Sequence, residues 1–95
     1  MKDKPKTFER ISQIANNDVA KLIEAEKFYG VSWRKRGGMG AFMMLARKWD
    51  RIENQVSSEN YDVFLTYKKN QSQEGILDDI QDLRRYLLSV EVHIT

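Results

Sequence analysis

The chain has 95 residues, 41% hydrophobic and 32% charged, with 16 basic and 14 acidic side chains and a formal net charge of +2. That length bounds it to one small domain with a modest core, and the composition excludes a disordered tail. The near-balanced charge argues against bulk nucleic-acid binding, and the absence of cysteine excludes disulfides, thiolate zinc sites and cysteine nucleophiles.

The N-terminus, MKDKPKTFER, is charged and lacks the apolar segment of a secretory signal. The longest apolar run, Ala41 to Ala46, is far shorter than a membrane span. A cytoplasmic protein with no membrane partner is therefore expected. Residues 1–6 read as a polar tail on a single helical domain covering 1–95, and Thr7 is placed to cap the first helix. Phe8, Ile11, Ala15, Leu22 and Ile23 recur at helical spacing, with Ile14 and Val19 beside them. The Asn16-Asn17-Asp18 cluster is a candidate break, and Gly30 a candidate stop after Tyr29.

Val31 to Gly40 reads as a loop, with helix resuming near Ala41. There Phe42, Leu45, Trp49, Ile52 and Val56 step by 3, 4, 3 and 4, a two-heptad seam ending at Ser57-Ser58. The segment from Tyr61 to Lys69 suits either a strand or a short helix. A lone strand would lack a partner, so a short helix is expected. Asn70 to Gly75 reads as a polar loop. The last helix starts near Ile76, with Asp78 and Asp79 in its first turn, where negative charge suits the helix dipole. Its seam is Ile76, Ile80, Leu83, Leu87 and Val90. The expected architecture is all-α: three main helices and one short helix in a small bundle. Two long seams on so small a protomer further predict a homo-oligomer, a dimer or higher.

Two features suggest chemistry. The first is a pair of acidic spacings beside the seams, Asp50 with Glu53 and Asp79 with Asp82. If the seams pack together, these four carboxylates can converge on one border and hold Mg²⁺ or Mn²⁺. Glu59 and Asp62 repeat the spacing, so spacing alone does not single out a site. The alternative is four solvated or salt-bridged side chains. The second feature is the loop before the middle helix. Arg34, Lys35 and Arg36 with the Gly37-Gly38 pair suit phosphate, and Tyr29 or Trp33 suits a base. Against this stands an ordinary loop with Trp33 packed on the core. Trp49, Met43 and Met44 read as core residues. Arg84-Arg85 and Lys68-Lys69 read as solvated faces, and His93 as a frayed-end surface residue.

The spacing D50-R-I-E53 followed by D79-I-Q-D82, in the context DDIQDLRRYLLSVE, resembles the MazG-like all-α nucleoside triphosphate pyrophosphohydrolases. Those enzymes carry ExxE and then ExxD on successive core helices. The YG-x-SW loop followed by KWDRIE is similar to small MazG-related domains encoded near nucleotide-modification genes of bacteriophages. The resemblance covers about Leu22 to Glu91, with Asp in place of Glu at positions 50 and 79. It implies an Mg²⁺-dependent nucleotide-binding protein that converts a nucleoside triphosphate to the monophosphate and pyrophosphate. Asp50, Glu53, Asp79 and Asp82 would hold the metal. Glu53, or Asp50 beside it, would orient or deprotonate the attacking water, and Arg34 to Arg36 would neutralise phosphate charge. The alternatives are a non-catalytic phage module that sequesters a nucleotide or cyclic nucleotide, and a structural helical interaction domain.

Overall fold

The computed structural model describes residues 4–71 and 75–95, with side chains from residue 6 onward. The fold is all-α. Its helices are α1 (Lys4–Tyr29), α2 (Gly37–Ser57), α3 (Val63–Lys69) and α4 (Ile76–Ile94), with a 3₁₀ turn at Ser32–Arg34 between α1 and α2. No strand occurs among the described residues, and no helix there is long and apolar enough to cross a membrane. The chain divides into two compact units, one ending at Ser32 and the other starting at Trp33.

The first unit is essentially one helix. It begins at Lys4, so Thr7 lies inside it and is not its cap, and residues 4–6 belong to the helix. Pro5 is tolerated because a proline in the first turn gives up an N–H that has no helical partner. The Asn16-Asn17-Asp18 cluster does not break α1, which runs on to Tyr29. Asn and Asp cost at most about 0.7 kcal/mol each in a helix interior, and Ala15, Ala20, Lys21, Leu22 and Glu24 around them favour helix. Gly30 ends α1 as expected. At φ 59° it donates its N–H to the Glu26 carbonyl at 2.9 Å, a left-handed C-terminal cap. Along this helix Phe8, Ile11, Ile14, Val19 and Ile23 are exposed.

In the second unit α2 begins at Gly37, four residues before the expected start at Ala41, so the glycines form its first turn. Gly37 takes φ 78°, which turns the chain into the helix in a conformation that penalises any other residue. A Cβ on Gly40 would lie 2.9 Å from the Arg36 Cβ, so that position too requires glycine. Asn60 and Tyr61 are left-handed at φ 56° and 60°, and Tyr61 donates its N–H to the Val56 carbonyl at 2.8 Å. This tight reversal leads into α3, the expected short helix. Asp62 caps it by accepting from the Leu65 N–H at 3.0 Å, and the Thr66 hydroxyl donates to the Asp62 carbonyl at 2.8 Å. Of the polar stretch from Asn70 to Gly75, residues 72–74 lie outside the described residues. α4 starts at Ile76 with Asp78 and Asp79 in its first turn, as expected.

The core of this unit is Ile52, Val56 and Ile76, with Val63, Ile80 and Leu83 packed against it. It uses only part of each seam. Phe42 is 63% exposed, Trp49 55% and Leu87 49%, and Met43 is exposed as well. Trp49 and Met43 are therefore not core residues of this unit. The reason is geometric: α3 is a single short helix and covers little of the α2–α4 pair.

Candidate functional site

α2 and α4 run antiparallel where they touch. Lys48 reaches Asp82, whereas Gln55, seven residues later on α2, reaches Asp79, three residues earlier on α4. In an antiparallel pair the residues that precede the seam on one helix face those that precede it on the other. Asp79 and Asp82 precede Ile80 and Leu83. The residues that precede Trp49, Ile52 and Val56 are Lys48, Arg51 and Gln55. The border opposite the α4 acids is therefore basic and amide-bearing.

Its geometry is tight. The Asp79 side chain is fully buried, and its carboxylate accepts from Arg51 Nε at 2.8 Å and Gln55 Nε2 at 2.7 Å. Lys48 Nζ stands 4.0 Å from Asp79 and 3.0 Å from Asp82. Burying a carboxylate is costly unless it is paired and hydrogen-bonded, and both oxygens of Asp79 are engaged. Among the described residues no buried side-chain polar atom lacks a partner.

Asp50 and Glu53 follow the seam and so lie on other faces of α2. Asp50 sits about 160° around the helix from Ile52 and is exposed. Glu53 is exposed on the far border, beside an apolar groove between the three helices of this unit. The expected convergence of Asp50 and Glu53 with Asp79 and Asp82 is thus not formed, because antiparallel packing puts Glu53 on the border opposite the α4 acids and Asp50 faces away from the interface. A different acidic group does form: Asp78, Asp79 and Asp82 bring one oxygen each within 4.8 Å of one another. Lys48 and Arg51 already pair with two of its three members, Asp79 and Asp82. The donor set expected for Mg²⁺ or Mn²⁺ does not fit this arrangement, since a dication would sit beside an ammonium and a guanidinium.

The residues expected to take a nucleotide are spread differently. Tyr29 ends α1 in the first unit and is exposed, whereas Trp33 to Gly38 belong to the second unit. Arg34, Lys35, Arg36, Gly37 and Gly38 are all exposed. The N-terminus of α2 carries no side-chain cap. Trp33 is half-buried and meets His93 edge-on, with ring centroids 5.9 Å apart. His93 is thereby held in the last turn of a helix that continues to Ile94, rather than on a frayed end. Lys68 and Lys69 are exposed as expected, with Lys69 paired to Glu59 at 3.0 Å. Arg84 and Arg85 are half-buried and engaged, not simply solvated.

The groove is the other notable surface. Trp49, Ile52, Val56, Ile80, Leu83 and Leu87 line it, together with Tyr61 and Val63 and the two charged residues Glu53 and Arg84. Lys48, Arg51 and Gln55 were missed by reading acids alone. Their spacing of 3 and 4 along one helix edge was the signal that could have found them. No family model, curated protein or solved structure matches this chain.

Proposed function

We propose that this chain is a helical association module whose apolar groove receives α1 of a second copy. The observation that carries the reading is the exposure of Trp49, at 55%, in the middle of a seam whose next two members are buried. A large aromatic in that position loses burial energy until something covers it, and burying a large apolar side chain gives about 1.5–3 kcal/mol. Contiguous apolar surface of this kind marks interaction sites.

The choice of occupant rests on α1. It is a 26-residue helix with Phe8, Ile11, Ile14, Val19 and Ile23 exposed, and its own unit holds no second helix to pack on. Phe8, Ile11, Ala15, Val19 and Ile23, all exposed, supply the 3- and 4-residue spacing by which an amphipathic helix anchors in a groove, whereas the neighbouring stripe holds Asp18, 1% exposed, and half-buried Leu22. Each chain therefore offers one apolar ridge and one apolar groove, and another copy supplies both in equal number. Light scattering after size exclusion checks this. The expected result is a mass of at least twice the 11.2 kDa of the chain, reduced toward that value by Trp49→Glu or by Phe8→Glu with Ile11→Glu. A wild-type mass of one chain at every concentration contradicts it.

A second reading, nucleotide or phosphate binding without metal, is favoured by one observation. The Gly37-Gly38 turn opens α2 with no side-chain cap, directly after three exposed basic residues. Uncapped N–H groups at a helix N-terminus suit an anion. A thermal-shift panel of nucleoside triphosphates, cyclic nucleotides and inorganic phosphate in EDTA tests it. A shift abolished by Arg34→Ala with Arg36→Ala supports it, and no shift with any of them removes it. Metal-dependent pyrophosphohydrolysis has weaker support than either, because its four carboxylates lie on different faces of the α2–α4 pair.

A further inference from the structure

We infer that Lys48 and Arg51 do for the acidic cluster of α4 what a divalent cation would otherwise have to do, so that the cluster is an ionic clasp and not a metal site. Three carboxylates with oxygens within 4.8 Å of one another repel strongly unless positive charge lies among them. That charge comes from the facing helix. Lys48 Nζ bridges Asp79 and Asp82 at 4.0 and 3.0 Å, and Arg51 Nε closes on Asp79 at 2.8 Å. Gln55 takes the remaining Asp79 oxygen at 2.7 Å. The three donors stand at positions 48, 51 and 55, one edge of α2, so a single face of one helix supplies the donors to Asp79 and Asp82.

Asp79 decides the matter. Its side chain has no exposure to solvent, and both of its oxygens are in use. A dication reaching it would have to displace a guanidinium and an amide, and would then remain close to Lys48. Removing the two cations reverses the balance: Asp79 and Asp82 would lose the countercharge that α2 supplies, and a hard divalent ion becomes a group that can restore it. The clasp also fixes the sense of the α2–α4 pair, because these donors meet these acids only when the helices run antiparallel.

Mn²⁺ titration followed by electron paramagnetic resonance, with thermal unfolding in parallel, tests the inference. Wild-type protein is expected to show no saturable Mn²⁺ binding below about 1 mM, the weak end of carboxylate–cation affinities, and the same melting temperature in Mn²⁺ as in EDTA. The variant Lys48→Met with Arg51→Met keeps the long apolar stems and removes both charges. In EDTA it is expected to melt on the order of 10 °C lower, and Mn²⁺ should recover part of that loss. If that variant does not fold in EDTA, adding Asp79→Asn and Asp82→Asn should restore folding, since the surplus charge is then gone. Saturable Mn²⁺ binding by wild-type protein that Asp79→Asn abolishes would overturn the inference. So would a Lys48→Met, Arg51→Met variant as stable as wild type in EDTA, or one that stays unfolded after the carboxylates are neutralised.

Discussion

The two borders of the α2–α4 interface are built on opposite principles. On one, Asp79 is fully buried and its charge is matched donor by donor by Arg51, Gln55 and Lys48. On the other, Trp49, Leu87 and Tyr61 surround a groove and remain about half exposed or more. The same seam residues, Ile52, Val56, Ile76, Ile80 and Leu83, lie between them. The difference separates what the unit needs to hold itself together from what it offers outward. The ionic border is complete within one chain, so changes there should appear as lost stability. The apolar border is incomplete, so changes there should appear as altered association.

Substitutions can break that contrast or sharpen it. The largest effect is expected beneath both borders: Ile76 is 1% exposed, and Ile76→Ala should cost about 2–5 kcal/mol in urea unfolding. Next comes Arg51→Met, which strips the closest charge from Asp79. Breaking a fully buried pair costs about 3–5 kcal/mol, and because Arg51 is itself half exposed the expected loss is discounted to about 1–2 kcal/mol. Removing the α3 cap with Asp62→Ala should cost about 1 kcal/mol, and should loosen α3 over the groove more than the clasp. The smallest effect is expected from Asp50→Asn and Glu53→Gln, within about 0.5 kcal/mol in the same assay, because neither carboxylate belongs to the clasp. A loss from Asp50→Asn as large as that from Arg51→Met would erase the distinction between the borders.

Much of this architecture was legible from the residues. The 3–4 stepping of Ile52, Val56, Ile76, Ile80 and Leu83 identified the core, Gly30 the end of α1, and the lack of a strand partner the helical state of α3. Two features were not legible, for physical reasons. The start of α2 was obscured because three glycines in four positions look like loop, although Gly37 and Gly40 are required by the turn and by the approach of Arg36. The grouping of the acids was obscured because it depends on the sense of the helix pair. Glu53 follows the seam and Asp79 precedes it, so a parallel pair would bring these two together and an antiparallel pair divides them, while Asp50 faces away from the seam in either sense. With one short helix between α2 and α4, the sequence carries no local signal for that sense. Once the sense is known, the bases at 48 and 51 and the amide at 55 identify themselves.

The resemblance to MazG-like pyrophosphohydrolases rests in part on the same acidic spacing, and the clasp gives two of its four carboxylates a structural role. The basic turn before α2 is independent of that spacing, so anion binding there stands or falls by itself.

Sedimentation equilibrium of wild-type protein beside Trp49→Glu tests the central claim most directly. The account predicts a concentration-dependent mass of two or more chains for wild type and about 11.2 kDa for the variant, with both equally helical. A wild-type mass of 11.2 kDa across the whole concentration range, or an unchanged oligomer in Trp49→Glu, would contradict it.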